Sequence, residues 1–183
     1  METIEKTVEV AVPLSTAYNQ WTQFEEFPKF MEGIESVTQL DDKRLRWKAR
    51  IGGHEKEWTA EIFEQIPDRR IAWRSTSGAM NSGMVNFTAL NASSTRVALK
   101  LNYDPEGAVE NLADALGLVS ARVGGDLERF KKFIEQRGRE TGAWTGQIEG
   151  RQVTPSGQDR AGGVSPAKPE ARSKRIRSTA DDI

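Results

Sequence analysis

Apolar and polar residues alternate from the start of the chain. Ile4, Val8, Val10 and Val12 share even parity, while Thr3, Glu5, Thr7 and Glu9 take the odd positions, which predicts a half-buried strand. Pro13-Leu14-Ser15 interrupts it, and Ser15 is placed to cap a short helix carrying Tyr18 and Trp21 toward the core. The run from Phe24 to Met31 holds four large apolar groups flanked by charge. Pro28 is expected at the start of a second short helix, where its missing donor would be unpaired anyway. Together these helices read as a pair closing over something apolar.

From Ile34 to Tyr103 the pattern predicts six strands joined by tight turns. Gly52-Gly53 is a two-residue turn signal that pairs residues whose numbers sum to 105. That register sets Trp47 opposite Trp58 and Leu45 opposite Ala60 on one face. On the other it sets Arg50, Lys48 and Arg44 opposite Glu55, Glu57 and Glu61. A slip by one would mix the faces. The turn at Pro67-Asp68 places Ile62 opposite Trp73 and Glu61 opposite Arg74. Two further strands follow, with inward sets Val85, Phe87, Ala89 and Val97, Leu99, Leu101, Tyr103.

The last periodic stretch runs from Gly107 to Gln136. Val109, Leu112, Leu116, Val119, Val123, Leu127, Phe130 and Ile134 recur at three- and four-residue steps and share one helical face. Glu110, Asp114, Arg122, Glu128, Lys131, Lys132 and Glu135 read as its solvent side. Gly117 and Gly124-Gly125 inside the pattern suggest a kink, or a close approach to the sheet or a ligand. A curved antiparallel sheet with one apolar face, closed by one long C-terminal helix, is an α+β architecture.

Composition changes the picture after Arg137. Residues 138–183 hold seven of the 16 glycines and three of the seven prolines, with sparse large apolar side chains. They are expected to form a disordered tail, beside a domain over 1–137. Residues 1–137 carry 18 Lys+Arg against 21 Asp+Glu, and the tail 8 against 6. Neither part points to nucleic acid, and the tail's Lys174, Arg175, Arg177 cluster reads as a solvated segment. The absence of cysteine excludes disulfides, thiolate nucleophiles and Cys-ligated zinc, and one histidine excludes a His-rich metal site. No apolar run is long enough to span a membrane, and the N-terminus does not read as a signal peptide, so the expected location is cytoplasmic.

Three local motifs resemble a known family: Trp21-Thr22-Gln23-Phe24-Glu25-Glu26-Phe27-Pro28-Lys29-Phe30-Met31, Pro67-Asp68-Arg69-Arg70-Ile71-Ala72-Trp73, and Asp126-Leu127-Glu128-Arg129-Phe130-Lys131. With the order of elements, they are similar to the bacterial polyketide cyclase/dehydrase branch of the START-like superfamily, related to coenzyme Q-binding START-domain proteins. The resemblance covers residues 2–137. It implies a helix-grip fold: a curved seven-stranded antiparallel sheet wrapped around a long C-terminal helix, with two short helices after the first strand. It also implies an apolar cavity between sheet and helix, filled in such proteins by lipids, sterols, quinones, polyketides or plant hormones. A pocket follows from it more firmly than a chemistry.

The residues then divide by role. Trp47, Trp58, Trp73, Phe87, Leu101 and Tyr103 of the sheet, with Leu116 and Ser120 of the helix, are expected to line the cavity, under a lid of Phe27, Phe30 and Met31. The same aromatic face could equally be solid core. Glu64 falls by parity on the inward face opposite Ile71, where a carboxylate would have a raised pKa and could act as acid or base. It could instead mark the strand reaching solvent near Pro67. The Tyr103 phenol could donate to a ligand carbonyl or merely reach the rim. His54 reads as an exposed turn residue. The first expectation is binding of a hydrophobic small molecule, without cofactor or metal. A polyketide aromatase/cyclase using Glu64 or Tyr103 is the second, and a stress or scaffold protein acting through its tail is the third. A cavity below roughly 300 Å³ would favour the third.

Overall fold

The computed structural model describes residues 1–51, 53–104 and 112–156. The alternating segments form seven strands: β1 (Glu2–Val10), β2 (Ile34–Gln39), β3 (Arg44–Ile51), β4 (His54–Ile66), β5 (Arg70–Gly78), β6 (Asn81–Asn91) and β7 (Ser94–Tyr103). Their spatial order is β1-β7-β6-β5-β4-β3-β2, with antiparallel neighbours throughout. The first strand of the chain thus closes on the last strand of the meander. The chain is of START-like helix-grip architecture.

Register follows side-chain chemistry. Between β3 and β4 the pairs are Trp47 with Trp58, Leu45 with Ala60, Lys48 with Glu57 and Arg50 with Glu55, as the turn and the charge pairs predict. Gly52 of that turn lies outside the described residues. Between β4 and β5, Glu61 pairs with Arg74 and Ile62 with Trp73, but a β-bulge follows between Ile62 and Glu64. One extra residue reverses the facing of all that come after it. Gln65, not Glu64, therefore turns inward, pairing with Ile71 at 1% exposure. Glu64 lies beside Arg70, 3.5 Å from its Nη1. Another irregularity, between Ala89 and Asn91 of β6, comes where Ala89 is exposed rather than inward.

Helix α1 (Leu14–Trp21) buries Ala17, Tyr18 and Trp21. Ser15 is not its cap; Pro13 holds that position, and the Ser15 hydroxyl points to Asp68 at 3.5 Å. The next turn is a 3-10 helix, Phe24–Lys29, with Pro28 inside it rather than at its start. The long helix α2 is continuous from Leu112 to Arg137. The predicted start at Gly107, with Val109 and Glu110, lies outside the described residues, as do the side chains of Leu112 and Asp114. A Cβ at Gly117 would meet nothing within 4 Å, and at Gly124 only the Lys6 side chain at 3.8 Å, so neither marks a tight approach. Val123, Leu127, Phe130 and Ile134 are buried. The last turns are tied to the end of β1: Glu135 accepts from the Ala11 amide at 2.7 Å, and Lys131 donates to the Glu9 carbonyl at 2.6 Å.

The expected disorder after Arg137 is corrected as far as Ser156. Strands β8 (Gln147–Glu149) and β9 (Gln152–Thr154) form a hairpin, and β8 extends the sheet by pairing with Glu64 and Gln65 of β4. This is possible because β4 is 13 residues long and its pairing with β3 ends at Glu61, leaving ladder groups free beyond it. Ile148 is fully buried. Polar groups on α1 need the same segment: the Gln20 amide, itself fully buried, exchanges two hydrogen bonds with Thr141, at 2.8 and 3.1 Å. A buried amide without those partners would be destabilising, which gives this glycine-containing stretch a fixed course. The remainder of the predicted tail, 157–183, lies outside the described residues. No helix among the described residues is long and apolar enough to cross a membrane.

Candidate functional site

The sheet curls against α2 without filling the space between them. A cavity of about 400 Å³ remains, walled by Trp47, Trp58, Trp73, Leu45, Ala60, Ile62, Ile71, Leu99, Leu101 and Tyr103 of the sheet. Helix α2 supplies Val119, Arg122, Val123, Asp126 and Leu127; Trp21, Phe24, Phe27, Met31 and Ile34 close one end. Ala79 and Met80, between β5 and β6, and Asn81, the first residue of β6, lie at another edge, with Met80 exposed.

The aromatic part is ordered by strand pairing. Trp47 and Trp58 are cross-strand partners with rings stacked at 5.7 Å, and Phe27 reaches Trp47 at 5.7 Å. Trp73 lies over Gly83 of β6, where a Cβ would come within 2.6 Å of its ring. Only a residue without a side chain lets that indole lie against the neighbouring strand.

The polar part is smaller. Trp47 Nε1, Tyr103 Oη and Arg122 Nη1 are buried without hydrogen-bond partners among the described residues. Asp126 is engaged instead, accepting from Arg129 and, at 2.9 Å, from the Glu32 amide. Burial nevertheless raises its pKa, against the lowering effect of those bonds and of the Arg129 and Arg122 charges. Burial also raises the pKa of the Tyr103 phenol, with the Glu2 carboxylate adding to the effect.

The predicted residues separate clearly. Trp47, Trp58, Trp73, Leu101, Tyr103, Phe27 and Met31 meet around the cavity. Phe87 does not; it is solid core, edge-on to Tyr18 at 5.4 Å and to Trp21 at 6.1 Å. Phe30 packs instead on Phe130 and Phe133 beneath the lid. Leu116 and Ser120 are off the wall too. At about 100° per residue, the helix presents an arc bounded by Arg122 and Leu127, and Ser120 falls past its edge. Glu64 is displaced by the bulge. Arg122, read from sequence as solvent-facing, and Asp126 are the residues that reading missed. Their signal was positional: both sit three or four residues from Val119 or Val123, inside the apolar arc.

The sequence from residue 10 to 132 matches the family described as polyketide cyclase / dehydrase and lipid transport. An uncharacterised 17.2 kDa protein of Streptomyces lincolnensis is 48% identical over 149 residues, 81% of this chain and 99% of its own. That span exceeds 137 residues, so it takes in part of the segment after Arg137. A Deinococcus radiodurans protein of known structure is 31% identical, with a TM-score of 0.60 over 74% of this chain and 99% of its own. The Zhui aromatase/cyclase of Streptomyces sp. R1128 is 20% identical, with a TM-score of 0.64 over 78% and 98% of the two chains. At that identity the likeness speaks for the fold alone.

Proposed function

The chain belongs to the polyketide cyclase/dehydrase and lipid transport family, and from that premise we propose that it binds a hydrophobic small molecule between sheet and helix. The observation that carries this reading is the cavity itself. About 400 Å³ walled by four tryptophans and two phenylalanines falls within the usual range of ligand sites, roughly 300–1,000 Å³. Its size speaks against a domain that serves only as a scaffold. Affinity would come from apolar area removed from water, at roughly 25 cal/mol per Å², and orientation from the few polar groups on the wall. Planar aromatic or isoprenoid molecules suit stacked indoles.

A second reading, cyclisation of a poly-β-ketone, is supported by Asp126 and Tyr103 on the same wall, the first with a raised pKa. Glu64 supplies nothing to it. Native mass spectrometry of protein purified from its own host tests the binding reading: a bound hydrophobic mass is expected, absent from a cavity-filling Leu101→Trp variant. Repeated recovery of the empty protein, folded and at full yield, would overturn it. For the cyclase, Asp126→Asn and Tyr103→Phe should abolish turnover of a polyketide without abolishing its binding.

A further inference from the structure

The unmet hydrogen-bonding demand on the cavity wall is of one kind. A guanidinium has five N–H donors, no acceptor and a permanent charge, and the Nη1 of Arg122 is buried without a partner among the described residues. Trp47 Nε1 can only donate, and the Tyr103 hydroxyl can donate; both line the same cavity, buried and without partners among the described residues. The carboxylate nearest in sequence, Asp126, is held by Arg129 and by the Glu32 amide. Arg129 also faces Glu32 at 3.5 Å, and Asp126 feels the Arg122 charge without accepting a hydrogen bond from its Nη1, which stays open toward the cavity. Of the other charged groups on the wall, Asp104 is exposed and Lys56 is already engaged. Around these groups the lining is aromatic and aliphatic.

We infer that the ligand is an acidic amphiphile, an apolar body carrying a carboxylate, sulfonate or enolate group, and that Arg122 is the residue selecting that anionic group. The inference rests on the binding reading above. An uncharged hydrocarbon would leave the Arg122 guanidinium unpaired, whereas an anionic oxygen group offers it both charge and lone pairs. Arg122 is also built in. Its Nη1 lies 2.6 Å from where a Cβ of Gly33 would be, and Gly33 has φ +81°. The chain passes there as glycine, leaving the guanidinium room between α2 and the approach to β2.

Two dyes of one skeleton test this: 1-anilinonaphthalene-8-sulfonate, which is anionic, and N-phenyl-1-naphthylamine, which is not. The full chain should bind the sulfonate at least about tenfold tighter. Arg122→Met should bring the two affinities within about threefold by weakening the sulfonate alone. Arg122→Lys, which keeps the charge and guards against misfolding of the first variant, should retain most of the preference. Leu101→Trp should weaken both dyes and so locate them in the cavity. Equal affinities in the unaltered chain, or equal weakening of both dyes by Arg122→Met, overturn the inference alone. Failure of both dyes to bind, or binding unaffected by Leu101→Trp, overturns the cavity reading and the inference with it.

Discussion

Trp47 and Trp58 lie face to face across β3 and β4, with ring centroids 5.7 Å apart and planes within 7° of parallel. The pair that fixes the register of this hairpin is therefore also a wall of the cavity. If the cavity is the binding site proposed above, stability and binding share these two side chains. Trp58 is half-buried, so Trp58→Ala should cost about 2 kcal/mol, below the 3–5 typical of a buried ring. It should weaken ligand binding as well. Trp58→Phe should retain most of both. Urea denaturation reads the first effect, and loss of the indole exciton couplet in far-ultraviolet circular dichroism reads the stack itself.

Gly33 should tolerate no side chain. Its φ of +81° disfavours one, and a Cβ would come within 2.6 Å of Arg122 Nη1 and 2.8 Å of the Arg50 carbonyl. The side chain of Arg122 could move, but the Arg50 backbone is held in β3. Gly33→Ala is expected to destabilise by about 1–3 kcal/mol and to displace Arg122 from the cavity. A chemical-denaturation midpoint unchanged from that of the unaltered protein would contradict both effects.

The segment after α2 should be indispensable. A chain ending at Arg137 leaves the Gln20 amide, the Thr22 hydroxyl that accepts from Trp144, and the Phe63 carbonyl that accepts from Gly150 without these partners. It also uncovers what Ile148 buries. Against a chain ending at Ser156, it should lose cooperative unfolding or melt many degrees lower. Ile148→Ala alone should cost about 2–4 kcal/mol. Equal melting temperatures for the two truncations would sink the claim.

What could be read from the sequence, and what could not, follows from the range of each interaction. Cross-strand charge pairs and a glycine turn set the β3–β4 register locally, so the positions of Trp47, Trp58 and Leu45 are legible in the sequence. The bulge after Ile62 has no such marker. It exchanges Glu64 for Gln65, and the gain is tertiary: Gln65 meets Ile71 and β8. Apolar periodicity gave the stripe of α2, but charge was read as exposure, which hid Arg122 and Asp126. Phe87 and Phe30 looked like pocket walls because core and cavity use one sheet face, and only packing against α1 and α2 separates them. The β8–β9 hairpin has one buried apolar residue per strand at most, too short a pattern to stand out among glycines.

Two carboxylates should give opposite slopes of stability with pH. On the outer face, Glu61 has a lowered pKa, chiefly through the Lys43 hydrogen bond at 2.9 Å, which with help from Arg74 outweighs the opposing desolvation. In acid the unfolded chain then binds the more protons at this site. The contribution of Glu61 is full above the ordinary glutamate range and is lost as pH falls through the lowered value. For Asp126 the sign reverses. Burial raises its pKa, so the folded state binds the proton more tightly, and that contribution is full below the ordinary aspartate range and lost as pH rises through the raised value. Lys43→Met should therefore flatten the acid fall in stability. Asp126→Asn should flatten the decline toward neutrality, whatever constant cost comes from loosening Arg129. Slopes, not levels, make the test, because a constant loss of contacts shifts the whole curve without tilting it. Urea unfolding across the pH range, with carboxyl titration by nuclear magnetic resonance, measures both. An unchanged slope for Asp126→Asn would show that the carboxylate titrates as it does in the unfolded chain.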